Sequence, residues 1–173
     1  MLPLSQGATV LIATSDQRKD PLALFQLIKD RGVTVMDAVP SFWRSCTSTL
    51  EGLNEETRRE LLDNRLRLML SASEPLLSDI PRTWMSQFGH PAHHVHMFGQ
   101  TETAGIVSLY HVPSVIDDEL SVVPIGRPIA NSEIYILDAD RRPCPADVAG
   151  ELYIGGAGVG RGDRKSTRLN SSH

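Results

Sequence analysis

The residues best suited to chemistry are Phe98-Gly99-Gln100-Thr101-Glu102-Thr103. Gly99 permits close backbone approach, the Thr101 hydroxyl can donate to a phosphate oxygen, and Glu102 offers a hard carboxylate oxygen to Mg²⁺. Phe98, just before them, can stack on a base. The same types also suit a capped turn, in which Thr and Glu satisfy the backbone of a following helix or strand. Spacing alone does not choose between the two. A second candidate, Gly155-Gly156-Ala157-Gly158-Val159-Gly160-Arg161-Gly162, looks like a nucleotide loop. It fits neither the dinucleotide nor the Walker pattern, because Arg161 falls where glycine is needed, and it reads as a bulge-rich strand exit. His90, His93, His94 and His96 are crowded, but His94 and His96 alternate along one strand face and His90 lies in a Gly-Pro turn. With no cysteine near, the pattern does not favour a metal site. Cys46 sits on an apolar helix without a nearby base and makes a poor nucleophile. Trp43 and Trp84 read as core residues on helices.

Strands and helices must bring such loops together. Ala8–Ala13 is apolar and β-branched and reads as a buried strand. Asp20-Pro21 starts a helix over Pro21–Arg31, with Leu24, Phe25, Leu27 and Ile28 inward and Gly32 as its stop. Val33–Val39, Leu66–Leu70 and Val95–Phe98 read as further strands. Ser41–Leu50, Glu55–Asn64 and Ser78–Phe88 read as helices. This alternation predicts an α/β fold, a mostly parallel sheet with flanking helices, over residues 1–120. Glu133–Leu137 and Glu151–Ile154, with a turn at Arg142–Pro145, predict an antiparallel module over 121–162. In a parallel sheet, ligands bind beyond the carboxyl ends of the strands. Three loops are expected there: Asp37–Pro40, Ser71–Pro75 and Gly99–Thr103.

Composition narrows the function classes. The chain has 173 residues, 40% of them hydrophobic, enough for a packed core. No apolar run approaches the roughly 18 residues of a membrane span. A net charge of −4 argues against a nucleic-acid partner. Two cysteines, Cys46 and Cys144, are too few and too distant for a disulfide framework or a zinc site. The N-terminus lacks the charged and apolar regions of a secretory signal, so a reducing, cytoplasmic setting is expected. Asp163–His173 (DRKSTRLNSSH) has no apolar periodicity and reads as a disordered tail. More sharply, it resembles the in-frame translation of a sequencing-library adapter, which would place it outside the natural chain.

The loops, together with FGQTET (98–103), IGRPIAN (125–131) and GELYIGGAGVGRG (150–162), resemble the adenylate-forming ligase superfamily, and most of all the amino-acid adenylation domains of nonribosomal peptide synthetases. The resemblance covers residues 1–162. It implies part of a large N-terminal domain, an α/β subdomain followed by the beginning of a β-barrel subdomain. It also implies ATP and Mg²⁺ as cofactors, an amino-acid substrate, phosphopantetheine on a partner carrier domain, and a neighbouring condensation domain. Residue by residue, Thr101 would contact phosphate and Glu102 would ligate Mg²⁺. Ser73, Glu74 and Pro75 would form the adenine wall with their backbone, and Phe98 would stack on the ring beside Gly99. His96 stands where the family commonly has an adenine-binding Asn, and Gln100 replaces the usual Pro. The substrate pocket would be lined by Asp37, Leu70, Ala72, Met97, Gly105 and Ile106. Asp37 would select a polar or cationic group, or else cap its own loop. The family's lysine-bearing phosphate loop, ammonium-binding aspartate, ribose-binding aspartate and C-terminal catalytic lysine are not in this sequence. The 173 residues alone are therefore expected to be inactive. The alternatives are a fragment of an acyl- or aryl-CoA ligase, or a truncated, non-catalytic nucleotide-binding protein.

Overall fold

A computed structural model describes residues 2–162, so the expected tail at 163–173 lies outside the described residues. Two short helices come first, α1 (Leu2–Ser5) and α2 (Ser15–Lys19), followed by α3 (Pro21–Arg31). The Asp20 carboxylate accepts from the Leu22 amide at 2.9 Å and Pro21 takes the first turn of α3. Gly32 ends that helix at φ 60°, the left-handed stop that glycine adopts most readily. Leu24, Phe25 and Ile28 are buried and Leu27 half-buried, as the spacing predicts.

The expected strand at Ala8–Ala13 is absent: the segment pairs with nothing, and Ile12 is 87% exposed. Apolar β-branched residues make a segment competent for a strand, but the ladder also needs a neighbour with free backbone groups. No described strand takes that place.

The remaining elements are β1 (Val35–Asp37), α4 (Pro40–Glu51), α5 (Glu55–Leu62), β2 (Leu68–Ser71) and α6 (Asp79–Arg82). A π-helical turn, Thr83–Gln87, extends α6, so the expected helix over 78–88 is present but underwound in its second half. Then come β3 (His93–Gln100), a 3₁₀ turn (Thr101–Thr103), β4 (Gly105–His111), β5 (Arg127–Pro128), β6 (Ser132–Leu137) and β7 (Glu151–Gly156). The first five strands form one sheet in the order β1-β2-β3-β4-β5. β1, β2 and β3 are parallel, whereas β4 and β5 add antiparallel. The sheet is mixed rather than mostly parallel, because β4, which the sequence reading left unassigned, folds straight back on β3. β6 and β7 form a separate antiparallel pair with Ile134 opposite Ile154.

One face of the main sheet is packed by helices. Met69, Ser71, His94 and His96 point into it and are nearly inaccessible. Its centre is Trp84, fully buried, with ring centroids of Phe25, Trp43 and Phe88 at 5.6, 5.8 and 5.4 Å. Both indoles are satisfied: Trp43 Nε1 donates to the Leu70 carbonyl at 3.0 Å and Trp84 Nε1 to Thr47 Oγ1 at 2.8 Å. Cys46 lies in the same core, where burial pushes its thiol up to about 12, far from a nucleophile's range. Among the described residues no helix is long and apolar enough to cross a membrane.

Candidate functional site at the carboxyl ends of the parallel strands

Because β1, β2 and β3 run parallel, their carboxyl ends open on one edge, and the three expected loops meet there. Register aligns Asp37 with Leu70 and Leu70 with Val95, then Ser71 with His96. β3 runs on to Gln100, beyond the ends of β1 and β2, and is carried there by β4. Paired residues project to the same face of a sheet and successive residues to opposite faces. Asp37, Leu70 and Met97, with Ile106 opposite Gly99, therefore share the face away from the helices. Leu70, Ala72, Met97 and Ile106 are half-buried and make an apolar strip there. Gly105, paired with Gln100, sits at φ 123° where β4 begins. Asp37 is exposed, has no hydrogen-bond partner among the described residues, and has its carboxyl pushed up by partial burial. It caps nothing.

The cap comes from Glu74. Its Oε2 accepts from the Ser41 amide at 2.8 Å and its Oε1 from the Ser41 hydroxyl at 3.0 Å. Helix α4, whose own N-cap Val39 has no side-chain oxygen, is thus capped from the loop after β2. The Glu74 side chain is therefore committed to structure. Ser73 holds φ 73° there, a left-handed conformation costly for a residue with a Cβ. Pro75 follows, exposed. Beside them, Ser71 Oγ and His96 Nδ1 are buried in adjacent register without a partner among the described residues. Burial lowers the pKa of His96, partly offset by the Ser71 backbone.

The turn at the tip of β3 separates the two readings of the Thr-Glu-Thr motif. Thr103 does the stitching: its buried hydroxyl accepts from the Gln100 amide at 3.3 Å and lies 2.9 and 3.0 Å from the carbonyls of Gln100 and Gly105. Ala104 closes the turn at φ 58°. Thr101 and Glu102 are exposed, and their side chains have no partner among the described residues. Capping chemistry is present, but at Thr103, and the hydroxyl and carboxylate that suit a phosphate and a metal are left free. Gly99 also has a use within the fold. A Cβ there would lie 2.0 Å from the Gly105 carbonyl oxygen, so its bareness serves the β-bulge between Phe98 and Gly99. Phe98 is half-buried just before that bulge.

The glycine cluster is the feature the sequence reading placed least well. It is the exit of β7, as expected, but the exit runs back onto the turn. The Gly160 amide donates to the Glu102 carbonyl at 2.7 Å, and a Cβ on Gly158 would lie 2.8 Å from the Thr103 carbonyl oxygen. Glycines at alternate positions, Gly156, Gly158 and Gly160, were the available signal of a backbone pressed on another backbone.

Among the described residues no group of three or more His, Cys, Asp or Glu could hold a metal. His90 and His94 lie instead against Trp84, with ring centroids at 5.5 and 6.3 Å. Mg²⁺ needs no all-protein cage, since it is commonly held by one or two carboxylates plus substrate phosphates and water. The free, exposed Glu102 carboxylate beside the Thr101 hydroxyl fits that mode.

A strand-edge site on a mixed sheet, with an unengaged Thr-Glu pair on a braced turn, is what an adenylate-binding enzyme would need. The AMP-binding enzyme family matches residues 1–162, and the chain belongs to it. It is 36% identical over 171 residues to the PKS-NRPS hybrid synthetase acdB of Aspergillus candidus, covering 98% of this chain and 6% of that protein. It is 34% identical over 165 residues to enterobactin synthase component F of Escherichia coli (strain K12), covering 92% of this chain and 12% of that one. Among solved structures, the nonribosomal peptide synthetase FmoA3 in its AMPPNP-bound form superposes with a TM-score of 0.79 at 28% identity, over 92% of this chain and 17% of that one. The chain thus spans a small part of the length of the relatives it matches.

Proposed function

We propose that this chain is the nucleotide- and substrate-facing part of an adenylation domain that activates an amino acid for nonribosomal peptide synthesis. In the reaction, a carboxylate oxygen of the amino acid attacks the α-phosphorus of ATP. The bond to the β-phosphate breaks, leaving aminoacyl-adenylate and pyrophosphate. A phosphopantetheine thiol on a carrier domain then attacks the acyl carbon and AMP departs. A condensation domain would use the thioester, in a cytoplasmic assembly line where ATP is at hand.

The roles follow from the positions. Thr101 donates to a phosphate oxygen. Glu102 holds Mg²⁺, which when bound neutralises phosphate charge as attack proceeds. The backbone of Ser73, Glu74 and Pro75 forms one wall for adenine, Phe98 stacks on the ring, and His96, beside Ser71, offers it a hydrogen bond. Asp37, on the edge strand beside Leu70, selects a polar or cationic side chain in a pocket lined also by Ala72, Met97, Gly105 and Ile106. The observation that carries this reading is the contrast inside the turn: Thr103 is fully used and Thr101 and Glu102 are not.

The test is amino-acid-dependent ATP–pyrophosphate exchange by the complete domain containing this chain, over a panel of apolar, polar, basic and aryl acids. Aryl acids belong in the panel because a related N-terminal subdomain, that of Klebsiella oxytoca NpsA, is solved with a 3-hydroxybenzoyl ligand. Exchange with a polar or basic amino acid, lost by at least about 100-fold in Glu102→Gln, is expected. Exchange with aryl or fatty acids alone would reassign the chain to the acyl- or aryl-activating ligases. An unchanged substrate preference in Asp37→Ala would remove Asp37 from the pocket.

A further inference from the structure

The segment leaving β7 makes contacts that the reaction roles above do not use. It comes from the separate two-stranded sheet, yet it ends on the turn that carries Thr101 and Glu102. Its own start is clamped: the Ala157 amide donates to the Asn131 carbonyl at 2.9 Å, and Gly156, at φ 110°, has no room for a Cβ against the same carbonyl. Two residues on, bare Gly158 lies against the Thr103 carbonyl, and the Gly160 amide donates to the Glu102 carbonyl at 2.7 Å. The Glu102 carbonyl belongs to a one-turn 3₁₀ segment whose own bond runs from the Ala104 amide to the Thr101 carbonyl. Its orientation is therefore not fixed by a helix, and the Gly160 amide is its donor.

We infer that Gly158-Val159-Gly160 is a positioning strap: it holds the peptide planes of Glu102 and Thr103 so that the Thr101 hydroxyl and Glu102 carboxylate stay aimed at the phosphate and its metal. The strap touches no reacting atom. It works through the backbone, so it depends on an N–H at position 160 and on the lack of a side chain at 158. Gly160 needs the amide more than the bareness, because an added Cβ would stand 3.2 Å from the Glu102 carbonyl oxygen, within reach of a small adjustment. This inference rests on the adenylation reading of the site.

The experiment uses the complete domain and measures ATP–pyrophosphate exchange against Mg²⁺ concentration, together with the melting midpoint. Gly160→Pro removes the donor and Gly160→Ala keeps it. The expected result is that Gly160→Pro raises the Mg²⁺ half-saturation and lowers the exchange rate by about 10-fold each, the scale of one lost backbone hydrogen bond at a loop. Gly160→Ala should stay within about 2-fold of the parent, with both melting midpoints little changed. If Gly160→Pro does not fold, Gly158→Ala, which pushes on the Thr103 carbonyl without removing any amide, should show the same raised Mg²⁺ requirement. A Mg²⁺ profile in Gly160→Pro or Gly158→Ala that matches the parent would overturn the strap, as would equal losses in Gly160→Ala and Gly160→Pro. A parent domain inactive with every acid would instead overturn the adenylation reading, and the strap with it.

Discussion

The helix-packed face of the sheet and the carboxyl edge of its parallel strands are built from the same three strands and follow opposite rules. On the packed face the indole N–H groups, the Thr47 hydroxyl and the large apolar side chains all have partners. At the edge, Thr101, Glu102 and Asp37 have none among the described residues, and Ser73 and Ala104 take left-handed backbone without being glycine. On the packed face only Ser71 Oγ and single ring nitrogens of His90, His94 and His96 lack a partner among the described residues, all of them buried, whereas the unspent groups of the edge are exposed. The first region does the work of folding and the second is free for binding. The difference should be visible in how each region responds to change.

The largest response belongs to Trp84. It contacts rings from α3, α4 and the end of its own helix, and its indole N–H has one acceptor, Thr47. Trp84→Ala removes the hub and leaves the Thr47 hydroxyl only its bond to the Trp43 carbonyl, at a cost of about 4 kcal/mol. Urea unfolding followed by far-UV circular dichroism should show the midpoint collapse or no folded baseline at all. A loss under about 1 kcal/mol would mean the core does not depend on this residue.

His90 and His94 extend the contrast to pH. Burial lowers both to about 4, and for His94 its neighbours His90 and His93 add repulsion. The folded forms bind protons less readily than the unfolded chain, whose histidines titrate near 6.5. Between these values the unfolded state holds more protons, so stability is complete above about pH 6.5 and falls as pH drops toward 4. Each histidine contributes up to about 3 kcal/mol to that fall. Urea midpoints taken from pH 7 to 4.5 should decline, and His90→Gln should make the decline shallower. An equal slope in the variant would show that His90 is not held neutral by the fold.

Legibility followed the same division. α3 was readable end to end because its cap, its apolar spacing and its glycine stop are all local in sequence. β1, β2 and β3 were readable in place, though not in length, because strand ends are set by partners. Ala8–Ala13 misled for that reason: its composition is local and its missing neighbour is not. β4 went unread because GIVSLYH follows a motif that looked complete in itself, and nothing local announces that it folds back. At the site, the free Thr101 and Glu102 were chosen by chemistry, but the division of labour with Thr103 depends on the position of β4. The need for a bare Gly99 against the Gly105 backbone, six residues on, likewise depends on where β4 lies. The docking of Gly158 and Gly160 on the turn joins residues more than fifty positions apart in the chain, which no local pattern encodes.

Glu74 is where the two rules meet, and it gives the smallest effect. It lies in an edge loop, yet its carboxylate is spent on the Ser41 amide and hydroxyl at the start of α4. If the edge were purely functional, removing that carboxylate would cost no stability; if purely structural, it would cost nothing at the site. Glu74→Ala should lose about 1 kcal/mol, the usual worth of a helix cap, since α4 has no cap of its own. It should also raise the KM for ATP, because the strained Ser73 backbone beside it would lose its tether to α4 while the Thr101–Thr103 turn stays intact. Glu74→Gln keeps an acceptor oxygen for the Ser41 amide and should recover most of both losses. A stability loss without any change in KM would put Glu74 wholly with the helix-packed face, and the comparison would then divide the molecule at Ser73 rather than at the end of β2.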